Sequence, residues 1–232
     1  MDKPQNNTNI VLVITILSIT TICVVLIIVF GTPFANRLAD SFFKSAKTDG
    51  LELAFNGSFE GAHDEEGYQT GLTFVEGHSG KAVLFNRDHT LYYQAEDNIN
   101  LEQGAIEFWL KPLWDGNDQG DYVFFEIGDS WFNRFRITKD GANNFRFMVW
   151  SSKVEYDAAC SVDHWSADEW HHVRATWVAD SISLYLDGEH CDTQSFVVLP
   201  DSLSPHLFIG SSAKGDLQAQ SVIDDFIISP KP

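Results

Sequence analysis

Gly104-Ala-Ile-Glu-Phe-Trp-Leu-Lys-Pro112 places Ile106, Phe108 and Leu110 on one parity and Glu107, Trp109 and Lys111 on the other. A period of two puts the first set on one face of an extended strand and the second on the opposite face, so the stretch predicts a strand with one side in a core. The same alternation returns in Phe145, Phe147 and Val149 against Arg146, Met148 and Trp150. Val173, Ala175 and Trp177 alternate with His172, Arg174 and Thr176, and Ile182, Leu184 and Leu186 with Ser183, Tyr185 and Asp187. Turn-forming residues punctuate these runs at Asp115-Gly-Asn-Asp-Gln-Gly120, Lys139-Asp-Gly141, Asp187-Gly188 and Ser211-Ser212. No long amphipathic helix interrupts the series, which excludes βαβ units. About a dozen such strands predict an all-β fold, an antiparallel two-sheet jelly-roll sandwich over residues 51–232.

Upstream the pattern is different. Residues 1–9 form a short polar tail, and Ile10 to Phe30 is a run of 21 residues with no charge and no proline. As a helix it would be about 31 Å long, matching the hydrocarbon core of a bilayer, so one transmembrane helix is expected over 10–30. The run is longer than the apolar part of a signal peptide, and Pro33 spoils a cleavage site after Ala35, which favours an uncleaved anchor. In residues 31–50, Phe34, Leu38 and Phe42 recur at four-residue spacing. They predict a short amphipathic segment lying in the membrane interface or against a partner helix. Counting Arg37, Lys44 and Lys47 against Lys3 would put the C-terminal side in the cytoplasm. The two domain cysteines argue the other way, and we expect the domain on the extracellular or periplasmic side of a single-pass protein.

The chain carries a formal charge of −18, and residues 51–232 hold eleven basic against thirty acidic side chains, so the acid belongs to the domain. A field of that sign repels nucleic-acid phosphates and attracts cations or basic partners. Cys23 falls within the apolar run. Cys160 and Cys191 lie 31 positions apart inside the expected sandwich, where they would pair as a disulfide in an oxidising compartment or remain two thiols in a reducing one.

The residues also carry a resemblance. The Gly104–Pro112 strand, the pair Trp170-His-His-Val-Arg-Ala-Thr-Trp177 and Leu184-Tyr-Leu-Asp-Gly188, the late segments Leu207-Phe-Ile-Gly-Ser211 and Ile223-Asp-Asp-Phe226, and the early Gly80-Lys-Ala-Val-Leu-Phe85 occur in one order. In that order they resemble laminin-G-like domains of the concanavalin A-like lectin and glucanase class, over about residues 51–230. The resemblance implies a structural calcium ion between the first and last strands. Its ligands would be Asn56, the carbonyl near Gly80, and Asp224; hard oxygens of this kind suit Ca²⁺. Asn56 stands where a charged residue is usual, which lowers the ligand charge. No other cofactor is implied.

Glycoside hydrolases of this class carry paired carboxylates at E-x-D-x-x-E spacing, because two carboxyls must flank the scissile bond. The nearest approach here is Glu126-Ile-Gly-Asp129, which puts one carboxylate on each face of a strand, and Glu126 is expected at a sheet rim. His171 and His172 are adjacent, so on a strand they point apart and cannot share a metal ion. No nucleophile elbow, phosphate loop or zinc motif occurs, and the chain is expected not to be an enzyme. The aromatic residues Trp114, Trp131, Trp150, Tyr156 and Trp165 are the candidates for ligand binding, either stacking on sugar rings or anchoring a protein partner. The leading expectation is therefore a membrane-anchored, non-catalytic recognition module for carbohydrate or protein. The alternative is an accessory subunit of a multi-subunit membrane complex, its helix packed on partner helices and its sandwich clamping an exposed subunit.

Overall fold

In the computed structural model the described residues are 50–232, apart from Asp129 and Trp131. The expected membrane run 10–30, the Phe34/Leu38/Phe42 stripe and the candidate Trp131 lie outside the described residues. Among those described there is no helix, and so none long and apolar enough to cross a membrane. Fifteen strands follow one another: β1 (Leu51–Leu53), β2 (Tyr68–Thr70), β3 (Thr73–Glu76), β4 (Lys81–Phe85), β5 (Thr90–Gln94), β6 (Gly104–Pro112), β7 (Tyr122–Ile127), β8 (Asn133–Lys139), β9 (Asn144–Ser151), β10 (Val154–Ser161), β11 (His171–Val178), β12 (Ser181–Leu186), β13 (Glu189–Ser195), β14 (His206–Ile209) and β15 (Ser221–Ser229).

They form two antiparallel sheets. One runs β13-β12-β11-β6-β15-β4-β3, with β1 also paired to β15; the other runs β10-β9-β8-β7-β14-β5-β2. β15 serves both β4 and β1 because its first half, Ser221–Ile223, pairs with β4 and its second half, Phe226–Ile228, with β1. A bulge between Asp224 and Ile227 separates the halves, with Asp225 in the left-handed region at φ 46°.

The alternating residues meet between the sheets. Ile106, Phe108 and Leu110 of β6, with Val173, Ala175 and Trp177 of β11, face Phe145, Phe147 and Val149 of β9, and all are fully buried. Rings interlock in the gap: Phe108 stacks on its same-sheet neighbour Phe226 at 5.5 Å, and across the gap Phe226 lies on Phe125 at 6.0 Å and Trp177 meets Phe135 edge-on at 5.4 Å. Trp177 also donates its indole N–H to the Asn100 carbonyl, so its polar atom is satisfied. Cys160 of β10 is bonded to Cys191 of β13, with Cα atoms 6.1 Å apart. These are the end strands of the two sheets, and the bridge ties them together across the sandwich.

One end of the core is closed by a buried cation. The Lys139 side chain is wholly buried, and its ammonium donates to Asp118 at 2.7 Å, the Gly120 carbonyl at 3.1 Å and the Asn143 amide oxygen at 3.2 Å. It also stands over the rings of Trp114 and Tyr122. Burial alone would push the Asp118 carboxyl up, but bonds from Lys139, Tyr122 and the Gly120 amide outweigh it and hold the group below the usual carboxylate range. Tyr122 is pushed up, by burial first and by Asp118 second.

Three outcomes follow from this packing. A group whose pKa is depressed by folding stabilises above its unfolded value and loses that contribution as pH falls through the folded one. Urea midpoints should therefore fall on acidification below about pH 4, and Asp118→Asn should flatten that decline. Lys139→Met, which strips the partner from Asp118, should cost about 3 kcal/mol at neutral pH. Replacing Cys160 and Cys191 by Ala should lower the unfolding free energy by about 4 kcal/mol, the loop entropy of a closure of this length.

Candidate functional site

The polar-parity residues of the seven-stranded sheet meet in register on the face turned away from the core. Asp157 lies opposite Met148, Met148 opposite Arg136, Arg136 opposite Glu126, Glu126 opposite Phe208, Phe208 opposite Tyr92, and Tyr92 opposite Tyr68. One row of side chains thus crosses all seven strands. Beside it Arg134 is opposite Trp150, and Trp150 opposite Glu155.

Glu126 sits at the centre of this row on the middle strand, not at a rim, and is 2% exposed. The rim expectation failed because all six residues of β7 are buried, so the strand shows no alternation from which a position could be read. A carboxylate can stay there because both oxygens have partners: Oε2 accepts from Arg136 Nε, and Oε1 accepts from the Ala213 backbone N–H at 3.0 Å. The guanidinium groups of Arg134 and Arg136 lie 5.2 and 5.9 Å from the ring of Trp150, which is buried beneath them.

The 212–216 loop forms the opposite wall. Ser212 Oγ donates to Asp216 and accepts from the Lys214 N–H, while the Gly215 and Ser212 amides close the turn on the Ser212 and Asp216 carbonyls. Between these walls lies a cavity of about 150 Å³, lined by Glu126, Arg134, Arg136, Ser212, Lys214 and Asp216. Its chemistry is two carboxylates, two guanidiniums, an ammonium and a hydroxyl, all hydrogen-bonding groups.

Of the aromatic candidates, only Trp150 reaches this face among the described residues. Trp114 and Trp165 are corrections to the expectation: both are buried, at 5% and 3% exposure, in a stack with Tyr122 and Phe145 at the Lys139 end of the core. Asp- and Gly-rich neighbours made them read as loop aromatics, whereas the loops fold back over them. Trp114 spends its N–H on the Ala219 carbonyl. Tyr156 packs inward against the core, because it shares parity with Ala158 and not with Asp157.

The rings that do lie on the outer face are Tyr68, Tyr92 and Phe208, which are not among the sequence candidates for ligand binding. Phe208 had a legible signal, since Leu207 and Ile209 on either side of it are core residues. Their alignment with Glu126 had none, because it depends on pairings between strands distant in sequence.

The three expected calcium ligands converge on one turn, Gly77–Lys81. Asp224 is wholly buried; its Oδ2 accepts from the Ser79 N–H at 3.0 Å and its Oδ1 from the Asp225 N–H at 2.9 Å. Asn56 Oδ1 accepts from the Lys81 N–H at 2.9 Å. Gly80 has φ 69°, and a Cβ there would stand 2.2 Å from that same amide oxygen, so only glycine fits. The oxygens are of the right kind for calcium, and no lysine or arginine pairs with Asp224 among the described residues. Equally, no group of three His, Cys, Asp or Glu side chains among those residues could hold a metal ion. His171 and His172 point apart, the first stacked on Trp165 and bonded to Asp187, the second bonded to Glu107.

No curated protein sequence matches the chain. Among solved structures, the receptor-binding domain of botulinum neurotoxin mosaic serotype C/D superposes with a TM-score of 0.63 at 15% identity, over 80% of this chain and 47% of that one. The binding domain of Paraclostridial mosquitocidal protein 1 gives 0.60 at 18% identity, over 79% and 48%. Domain 4 of AbnA, an extracellular arabinanase from Geobacillus stearothermophilus, gives 0.63 at 14% identity, over 79% and 92%. The chain thus spans about half the length of the two toxin-type structures and nearly all of the arabinanase domain, and at these identities the likeness is one of fold. Residues 87–232, more than half of the chain and every strand from β5 to β15, match the concanavalin A-like lectin/glucanases superfamily, and the chain belongs to that superfamily.

Proposed function

We propose that this chain is a membrane-anchored, non-catalytic recognition module on the non-cytoplasmic face, and that it binds carbohydrate on the outer face of its seven-stranded sheet. The observation that carries the reading is the cavity around Glu126. Sugar hydroxyls are recognised by planar groups that accept or donate two hydrogen bonds at once; Arg134 and Arg136, held over Trp150, and Asp216, held by Ser212, line the cavity for that role, while Glu126 keeps Arg136 in place. The same arrangement argues against hydrolysis. Hydrolysis needs one carboxyl that protonates the leaving group and a second that attacks the anomeric carbon or activates water, whereas Glu126 has both oxygens engaged and Asp216 accepts from Ser212. Two of the similar structures support a binding role: the arabinanase domain was solved with arabinotriose, and a botulinum neurotoxin DC binding domain with SialylT. Another DC binding domain was solved with rat synaptotagmin II, so a protein ligand is the competing outcome.

Calcium enters the proposal as a structural ion. Asp224, the Asn56 amide oxygen and the Gly80 carbonyl would hold it, and it would tie the β3–β4 turn to β15. Millimolar Ca²⁺ should then raise the melting temperature over that in EGTA, and Asp224→Asn should abolish the difference.

The test of function is a glycan array with the full chain in mild detergent. Saccharide binding should appear and should fall at least tenfold in Arg136→Ala, the loss expected for a hydrogen bond to a charged group. Absence of glycan binding, together with a stoichiometric protein partner retained on purification from its own membranes, would replace this reading with that of an accessory subunit.

A further inference from the structure

Among the described residues seven large hydrophobic side chains are exposed, and four of them, Phe132, Val154, Phe196 and Val198, share one end of the sandwich. Strand pairing places them there. Val178 pairs with Ser181 and Ser181 with Ser195, so the segment after β13, which carries Phe196 and Val198, lies at the end where β6 begins with Gly104 opposite Trp177. In the other sheet Ile127 is opposite both Leu207 and Phe135, which puts the β7–β8 connection and Phe132 beside the start of β14. Ser152 donates its N–H to the Phe132 carbonyl, and Val154 opens β10 two residues later. The β5–β6 connection joins the two sets. The Asn98 side chain donates to the carbonyl of Gln94, which is opposite His206, and the Asn100 carbonyl accepts from Trp177. Gly50 donates to the Asp97 carbonyl of the same connection, so the chain enters the domain at this end.

Phe196 holds φ 61°, a left-handed conformation costly for a bulky residue, and yet its side chain is 89% exposed. The same segment borders a hollow of about 670 Å³ with apolar lining from Leu101, Val197, Leu199 and Pro200. Lys153 stands over the Phe132 ring at 5.2 Å. Apolar tips with a lysine beside them suit the boundary between headgroups and acyl chains, where the tips are buried and the ammonium stays level with the phosphates. The tips come from separate connections of both sheets, and a fluid surface accepts them without the shape complementarity that a folded partner requires. Glu102 and Asp201 at the hollow would be repelled by anionic headgroups, which favours zwitterionic lipid. Only residues 31–49 separate the uncharged run 10–30 from Gly50. We infer that this end of the sandwich rests on the surface of a zwitterionic bilayer, with Phe132, Val154, Phe196 and Val198 in its interfacial layer. The inference rests on the membrane-anchored reading and adds which end of the domain the lipid touches.

The experiment uses the full chain in phosphatidylcholine nanodiscs, with a nitroxide-bearing phosphatidylcholine as the quencher. A fluorophore on Val198→Cys is compared with one on Asn117→Cys, an exposed position in the β6–β7 turn at the Lys139 end, both in a Cys23→Ser background. Quenching at 198 should exceed that at 117 about fivefold, as expected for a tip that enters the headgroup and acyl boundary. Adding Phe132→Ser and Phe196→Ser to the Val198→Cys chain should remove most of that excess. Equal quenching at the two positions in a chain that co-elutes with the discs, or an excess untouched by the two serines, would overturn the inference and leave the anchor standing. A chain that separates from the discs would instead remove the anchored reading, and the inference with it.

Discussion

The packing of Phe108, Phe226 and Phe125 between the two sheets is the contact on which the rest of the molecule depends. A sheet with one apolar face cannot stand alone in water; it hides that face only against another sheet. Once β6 and β15 on one side and β7 on the other are locked by these rings, every strand has its parity assigned. The inward set goes to the core and the outward set goes to the surface. A shift of one residue in any strand would exchange the two, so the same contact that builds the core also decides which side chains are presented on the outer face. The outer face is in this sense the reverse side of the core.

That constraint explains how a polar centre survives in the middle of a sheet. Glu126 lies between Phe125 and Ile127, both fully buried, and is itself almost closed off from water. An isolated carboxylate there would be costly, and the cost is met by Arg136 on the neighbouring strand and by an amide from the 212–216 loop. The loop in turn is shaped around the Ser212 hydroxyl. Lys139 is the same device at the end of the sheet, where a buried ammonium gathers Asp118, Gly120 and Asn143 and so holds two loops over Trp114. Both are polar clusters whose members are mutually satisfied, and both convert flexible connections into fixed walls.

The other sheet shows a different use of irregularity. Its bulge at Asp224–Ile227 lets one long strand pair with β4 and then with β1, and it turns the Asp224 carboxylate towards the β3–β4 turn. The Asp225 carboxyl beside it is pushed up, by burial first and by the charge of Asp224 next, with His78 opposing and Glu52 adding to the rise. Such a corner holds anionic oxygen close to backbone in a domain already rich in acid.

The amino-acid sequence by itself determined the fold class, the antiparallel pairing and the inward set of residues. Period-two alternation in Gly104–Pro112, Asn144–Trp150 and His171–Trp177 leaves a strand one way to bury its oily side, whatever its neighbours are. It determined less where that alternation breaks: β7 is apolar on both parities, and so its pattern does not show that Glu126 sits on the central strand. Trp114 and Trp165 read as surface rings because their loops are polar, yet those loops close over them around Lys139. The alignment of Tyr68, Tyr92, Phe208, Glu126 and Arg136 across five strands was decided only by the tertiary structure. A sequence pattern carries the period of each strand, whereas register between strands is set by which side chains interlock across the core, and residues distant along the chain become neighbours only once it has formed.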